Sequence, residues 1–183
     1  MTYRAPVDDY RFLLDHVVGF DRVARTERFA EATPDVVAAM LSEAGRICEA
    51  ELAPLQPSGD AQPARLENGV VRLPPGFAEG YRAIAEGGFL GVSAPPEHGG
   101  LGLPITVTSA VNEMISGACL AIQLSPLMAQ GQVEALEHHA PDWIRALYIP
   151  RLVDGTWTAT MNLTEPQAGS DVGALTTRAA PAG

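Results

Sequence analysis

Lysine is absent from this chain of 183 residues, and all 12 basic side chains are arginine. A solvated surface rarely needs a guanidinium at every basic position, so the pattern reads as a bias of genome composition. Positive charge is scarce as well: 22 acidic residues leave a net charge of −10. That balance argues against nonspecific binding to nucleic acid or to an anionic membrane, both of which want clustered positive charge. An anionic ligand held by a few local arginines and backbone N–H groups remains compatible with it. Aromatic residues make up only 6% of the chain against a hydrophobic total of 46%, the balance of a globular protein whose apolar count comes largely from alanine. The two cysteines, Cys48 and Cys119, are far apart and follow no C-x-x-C spacing. Each sits on a helix-like apolar pattern, so both read as buried core thiols. The first residues lack a signal core and an Arg/Ser-rich transit pattern. No apolar run approaches the roughly 20 residues of a bilayer span. The expectation is a cytoplasmic, reducing compartment with no membrane span. His16, His98, His138 and His139 lack metal-ligand spacing to Cys, Asp or Glu and read as surface or helix-end residues.

What is present is mostly helical periodicity. Between Val7 and Val18, the residues Tyr10, Leu13, Leu14 and Val17 form one stripe at i, i+3, i+4 and i+7. Pro6, Asp8 and Asp9 suit its start and Gly19 its end. A second helix begins at Thr33-Pro34-Asp35, with Thr33 as N-cap and Pro34 at the first helical position. Its stripe is Val37, Met40, Leu41, Ala44, Ile47 and Cys48, and Pro54 and Pro57 close it. Ser58 to Arg65 is polar and turn-prone. Leu66 to Leu73 predicts a small hairpin turning at Asn68-Gly69. Pro74-Pro75 opens a third helix through about Glu86, ended by Gly87-Gly88. Phe89 to Pro104 is irregular, punctuated by Gly and Pro. Ile105 to about Leu124 reads as a helix buried on most sides. Its Asn112, Glu113 and Gln123 make it too polar for a membrane span; Glu113 and Gln123 are either satisfied core groups or pocket lining. Further helices cover Gly131 to His139 and Pro141-Asp142 to Tyr148. After Pro150, Thr156-Trp-Thr-Ala-Thr160 alternates and is rich in β-formers, which predicts a strand.

The stretch Thr160-Met-Asn-Leu-Thr-Glu-Pro-Gln-Ala-Gly-Ser-Asp-Val-Gly173 carries the chemistry. Hydroxyls of Thr164 and Ser170 donate to, or accept from, a polar ligand. Gly169 lets backbone approach a bulky group closely or take positive φ. Pro166 stiffens the loop, and successive N–H groups near Ala168, Gly169 and Ser170 suit an anion site. By local physics alone the plainer reading is a helix start: Thr164-x-x-Gln167 matches a capping box, and Ser170-Asp171 suits another cap. Asn162-Leu163-Thr164 also matches a glycosylation sequon, which without a secretory signal is accidental.

Leu163 to Val172 resembles the flavin-loop motif of the acyl-CoA dehydrogenases. Three further segments resemble that family in the expected order: Ala85-Glu-Gly-Gly-Phe-Leu-Gly-Val92, Pro96-Glu-His-Gly-Gly-Leu-Gly102 and Tyr148-Ile-Pro-Arg-Leu-Val-Asp-Gly-Thr-Trp157. Tyr3 to Leu14 and Met161-Asn162-Leu163-Thr164 resemble the branch that includes the 3-methylmercaptopropionyl-CoA dehydrogenases. The resemblance implies a mainly α chain: an N-terminal extension over 1–32, a helical N-terminal domain over 33–153, and over 154–183 the first strand and flavin loop of an incomplete β domain. It implies FAD as cofactor. Met161 and Leu163 would lie along the flavin ring and Thr164 would contact it. Gly169 would pack against the cofactor, and Ser170 would reach its pyrophosphate and touch the thioester ligand. Glu165 and Asp171 are expected to be structural, capping N–H groups or pairing with an arginine such as Arg178, and Glu97 lies in a Gly-rich loop that in the family is near the substrate side, with loop geometry the simpler explanation for it. The implied reaction is α,β-dehydrogenation of an acyl-CoA, with electron-transfer flavoprotein or a similar acceptor and a homo-oligomeric full-length enzyme. The catalytic glutamate is expected outside this chain, so that no catalytic residue is assigned here and the 183 residues alone would bind FAD weakly. An acyl-CoA oxidase, a flavin monooxygenase and a non-catalytic helical binding module stay open as alternatives.

Overall fold

A computed structural model describes residues 3–181. Its order is α1 (Val7–Phe12), α2 (Phe20–Ala24), α3 (Pro34–Ile47), α4 (Leu55–Ala61), β1 (Arg65–Glu67), β2 (Val70–Arg72), α5 (Phe77–Glu86), α6 (Ile105–His139) and α7 (Asp142–Val153). The expected mainly helical class is observed. π-helical turns extend α1 over Leu13–Val18 and α3 over Cys48–Leu52.

The start of α3 follows its sequence signal. Thr33 Oγ1 accepts the Val36 N–H at 3.3 Å, and Pro34 occupies the first turn, where its missing donor costs nothing. Val37, Leu41, Ala44, Ile47 and Cys48 are buried. Gly19, with φ of +64°, ends the first helical stretch, but its stripe is only half used. Tyr10 and Leu14 are buried, whereas Leu13 and Val17 are exposed. The π-helical turn after Phe12 changes the angular spacing on which a 3.6-residue stripe depends.

The hairpin forms as expected. Asn68 and Gly69 take φ of +52° and +77°, and Leu66 pairs with Val71 across the turn. Ser58–Arg65 departs from the turn reading, because α4 occupies Leu55–Ala61. Pro57 does not prevent it, since the N–H groups of a helix's first turn have no intrahelical partner to lose.

The long apolar run and the helix expected after it are one element, α6, and it is not a straight rod. Cys119 has φ −155° and ψ 90°, which breaks the helix into arms 105–118 and 120–139. Asn112 Nδ2 donates to Gln130 Oε1 at 2.8 Å. A straight helix would hold those residues about 27 Å apart, so the second arm folds back along the first. α6 is long and apolar enough by composition to cross a membrane. The fold at Cys119 and the burial of half of its most apolar window make it instead the spine of this core.

One core cluster runs from Tyr10, Leu14 and Phe20 through Leu41 and Ile84 to Met114 and Ile122. The residues before Thr33 therefore contribute to the same core as α3 and α6. Cys48 and Cys119 are free and buried, as expected, and burial pushes the Cys48 thiol up to about 12. A smaller cluster joins Ala94 and Val133 to Ile149, Leu152 and Val153. It lets α7 run past Tyr148 and through Pro150 to Val153. Burying those aliphatics offsets the backbone hydrogen bond that Pro150 cannot make.

The strand expected over Thr156–Thr160 does not form. A strand needs a neighbour to take its N–H and C=O groups, and no other strand lies beside this segment among the described residues. Local contacts fix it instead. Trp157 N–H donates to Arg151 O at 2.9 Å, the Arg151 guanidinium stacks 4.6 Å over the indole, and Tyr148 meets it edge-on at 5.4 Å.

Candidate functional site

The loop after Trp157 is organised around one carboxylate. Glu165 accepts the Thr176 N–H at 3.0 Å, the Thr177 N–H at 2.8 Å, the Thr176 hydroxyl at 2.9 Å and the Thr177 hydroxyl. Hydrogen bonds from Thr177 and Thr176 hold this carboxyl well below the usual carboxylate range. Glu165 and Ala168 also exchange two backbone hydrogen bonds of 3.0 Å around Pro166-Gln167. This tight turn replaces the helix start that the capping-box pattern suggested. Asp171 Oδ1 accepts the Gly173 N–H at 3.1 Å, capping a single 3-10 turn. Both acids are thus structural, as expected, through N–H groups; neither forms an ion pair with Arg178 or any other described residue.

The residues expected to meet the cofactor share a different fate. Met161, Leu163, Thr164, Gly169 and Ser170 are all exposed. Gly169 does not adopt positive φ, so that half of its expected use is not realised. A Cβ built on it would meet nothing within 4 Å. No contact among the described residues accounts for a glycine there. Two apolar side chains, two hydroxyls and an open glycine on one loop suit a flat heterocycle carrying phosphate.

A cleft of about 850 Å³ lies between the irregular segment after α5 and the folded-back α6. Its walls include Ser93, Glu97, Asn112, Gln130, Glu134 and His138. The irregular segment is held by its glycines: a Cβ on Gly100 would stand 2.1 Å from the Ala94 carbonyl oxygen. It also comes close to α6, where His98 Nε2 lies 2.9 Å from Glu137 Oε1, an oxygen with no hydrogen-bond partner among the described residues. His98 ends the short 3-10 turn Pro96–His98, the helix-end position expected of it. The cleft and the loop share an element. Gly131 lines the cleft, and its neighbour Gln132 donates from Nε2 to Thr160 O at 3.3 Å, just before Met161.

Of the polar residues noted on α6, Gln123 is 1% exposed and donates from Nε2 to Asn112 Oδ1 at 2.9 Å. Glu113 is exposed and acts on the other side of the helix. Burial first, then the Glu113 charge and its hydrogen bond, raise the Tyr10 phenol. Gln130, Glu134 and Glu137 escaped the reading of the sequence. Their signal is the run of polar positions on the second arm of α6, which looks like a solvated face until the helix is known to fold back.

The comparisons with known proteins decide the family. The model of the acyl-CoA dehydrogenase N-terminal domain matches residues 34–156, two thirds of the chain. The chain belongs to the acyl-CoA dehydrogenase family. It is 41% identical over 181 residues to the 3-methylmercaptopropionyl-CoA dehydrogenase of Ruegeria pomeroyi, covering 99% of this chain and 31% of that relative. It is 33% identical to a broad-specificity linear acyl-CoA dehydrogenase of Mycobacterium tuberculosis, over 97% of this chain and 29% of the relative. A butyryl-CoA dehydrogenase of Syntrophomonas wolfei is 29% identical over 80% of the chain and 24% of the relative. The chain thus spans less than a third of the length of these acyl-CoA dehydrogenases.

Proposed function

We propose that this chain supplies the helical N-terminal domain and the flavin loop of an FAD-dependent acyl-CoA dehydrogenase. The observation that carries this reading is the loop itself. Glu165 uses its carboxylate to brace the loop from within, while Met161, Leu163, Thr164, Gly169 and Ser170 are left facing outward with space beside Gly169. Family membership and the three named relatives, all acyl-CoA dehydrogenases, support the same assignment.

When bound, the flavin supplies the hydride-accepting chemistry that no side chain has. The residues here bind and orient. Met161 and Leu163 would offer apolar surface to the ring, Thr164 would offer it a hydroxyl, and Ser170 would supply a donor to phosphate or thioester oxygen. Neither loop acid suits proton abstraction. The Glu165 carboxylate is saturated by five donors and held far too acidic for a general base, and Asp171 is committed to Gly173. The cleft beside the loop is the acyl side of the site, since one arm of α6 lines the cleft and touches Thr160.

Gly169→Ala tests the reading. The substitution meets open space and an ordinary φ, so the melting temperature should stay where it is. FAD affinity should fall about tenfold, or ~1.4 kcal/mol, because the added methyl overpacks the contact. Flavin fluorescence titration of both proteins reads this directly. Equal FAD affinity in the two would sink the assignment of the loop.

A further inference from the structure

The cleft is lined by Phe29, Leu90, Leu103, Ile105, Leu127 and Val133, but one stretch of its wall, at Asn112 and Gln130, is polar. Three carboxamides meet across the fold of α6. Asn112 Nδ2 donates to Gln130 Oε1 at 2.8 Å, Gln123 Nε2 to Asn112 Oδ1 at 2.9 Å, and Gln130 Nε2 to Asn112 Oδ1 at 3.2 Å. Each amide nitrogen has a second N–H that these bonds do not use, and Gln130 Oε1 keeps a lone pair. Gln123 Oε1 has no hydrogen-bond partner among the described residues, although the side chain is 1% exposed. Asn112 and Gln130 bring this surplus of donors and acceptors to the cleft surface. A plain alkyl chain laid against them would strip their water and return no hydrogen bond. A hydroxyl or carboxamide would both donate and accept. The charges around the cleft narrow the class further. Glu97, Glu134 and Glu137 outnumber Arg28 and His138, and an anionic chain end would meet like charge.

Resting on the reading of the cleft as the acyl side of the site, we propose that Asn112 and Gln130 determine specificity. They select acyl-CoA thioesters whose acyl chain carries a neutral hydrogen-bonding group over those with a plain alkyl chain.

The test is calorimetric titration of the protein, as its gene encodes it, with hexanoyl-CoA and with 5-hydroxyhexanoyl-CoA. Wild type, Gln130→Leu and Gln130→Met are compared. The two variants keep the Asn112–Gln123 bond, and the unbranched methionine guards against a packing failure of the leucine. One added hydrogen bond predicts that wild type binds the hydroxylated ligand about five- to tenfold more tightly. That ratio should fall to about one in both variants, with the affinity for hexanoyl-CoA unchanged or improved. Equal affinities in wild type overturn the proposal and leave the cleft as an acyl site. A preference that survives in both variants overturns the assignment to Gln130. Failure of wild type to bind either thioester overturns the reading of the cleft, and the proposal with it.

Discussion

At the scale of single residues, Glu165 shows how an acid in a motif can be structural and still matter to function. Four of its donors come from Thr176 and Thr177 and a fifth is Gln167 Nε2, so one carboxylate closes the loop that presents Thr164 and Ser170. The direction of its pH response follows from its depressed pKa. Stability from such a group is present above the unfolded carboxylate value of ~4.3 and is lost only as pH falls through the lower folded value. The Thr176 and Thr177 amide resonances should therefore hold their positions from neutrality to below pH 4 and move only on further acidification. In Glu165→Gln the pH-dependent movement disappears and the Thr176 and Thr177 amides lose protection from exchange, while the core amides keep theirs. A transition of these amides near pH 4.3 in wild type would show that the carboxylate is not held by its donors.

At the scale of elements, sequence periodicity read helix identity well and helix direction poorly. The Thr33-Pro34 start of α3 and the Asn68-Gly69 turn were legible because each rests on one residue's backbone preference. The reversal at Cys119 was not. Cysteine has no special preference for φ −155°, and the fold is set by what the two arms bury against each other. The strand at Thr156–Thr160 failed for the converse reason, since its β-formers report fit to a sheet and no sheet lies beside them. Of the candidate site, the loop residues could be named from sequence because their motif is contiguous. The cleft could not, because Glu97, Asn112 and Gln130 meet only after α6 folds back. That fold carries its own prediction. In Asn112→Leu the Gln123 side chain loses the acceptor for its Nε2 and stays buried with nothing in return. Chemical denaturation should show a loss of about 1–3 kcal/mol. Adding Gln123→Leu should restore part of it, because the orphaned amide is then gone. A single variant as stable as wild type would mean that the amide cluster does not hold the arms together.

At the scale of the whole molecule, the residues before Thr33 act as a strap across α3 and α6. The Tyr3 hydroxyl donates to Met114 O at 3.0 Å and its ring lies against Gly117. The Ala5 N–H donates to Glu49 Oε1 at 2.9 Å, and Val7 presses on Gly45 so closely that a Cβ there would stand 2.8 Å from its methyl. Tyr10, Leu14 and Phe20 then enter the common core. Strap and core should thus unfold together, and the phenol of Tyr3 offers a way to see it. Burial, with the nearby Cys48, Glu49 and Glu113, pushes Tyr3 up to about 12. A raised folded pKa means that the contribution of the neutral phenol is complete below ~10, the unfolded tyrosine value, and is lost as pH rises through about 12. The alkaline limb of stability should steepen between these values in wild type. Tyr3→Phe lacks the hydroxyl and should start lower at neutral pH, by ~1 kcal/mol for one lost hydrogen bond, with a shallower alkaline limb. Cys48 titrates over the same range, so Cys48→Ala with Tyr3 intact is the control that assigns the effect. If Tyr3→Phe and wild type lose stability in parallel between pH 10 and 12, Tyr3 does not anchor the strap, and its coupling to the core rests on Ala5, Val7, Tyr10, Leu14 and Phe20.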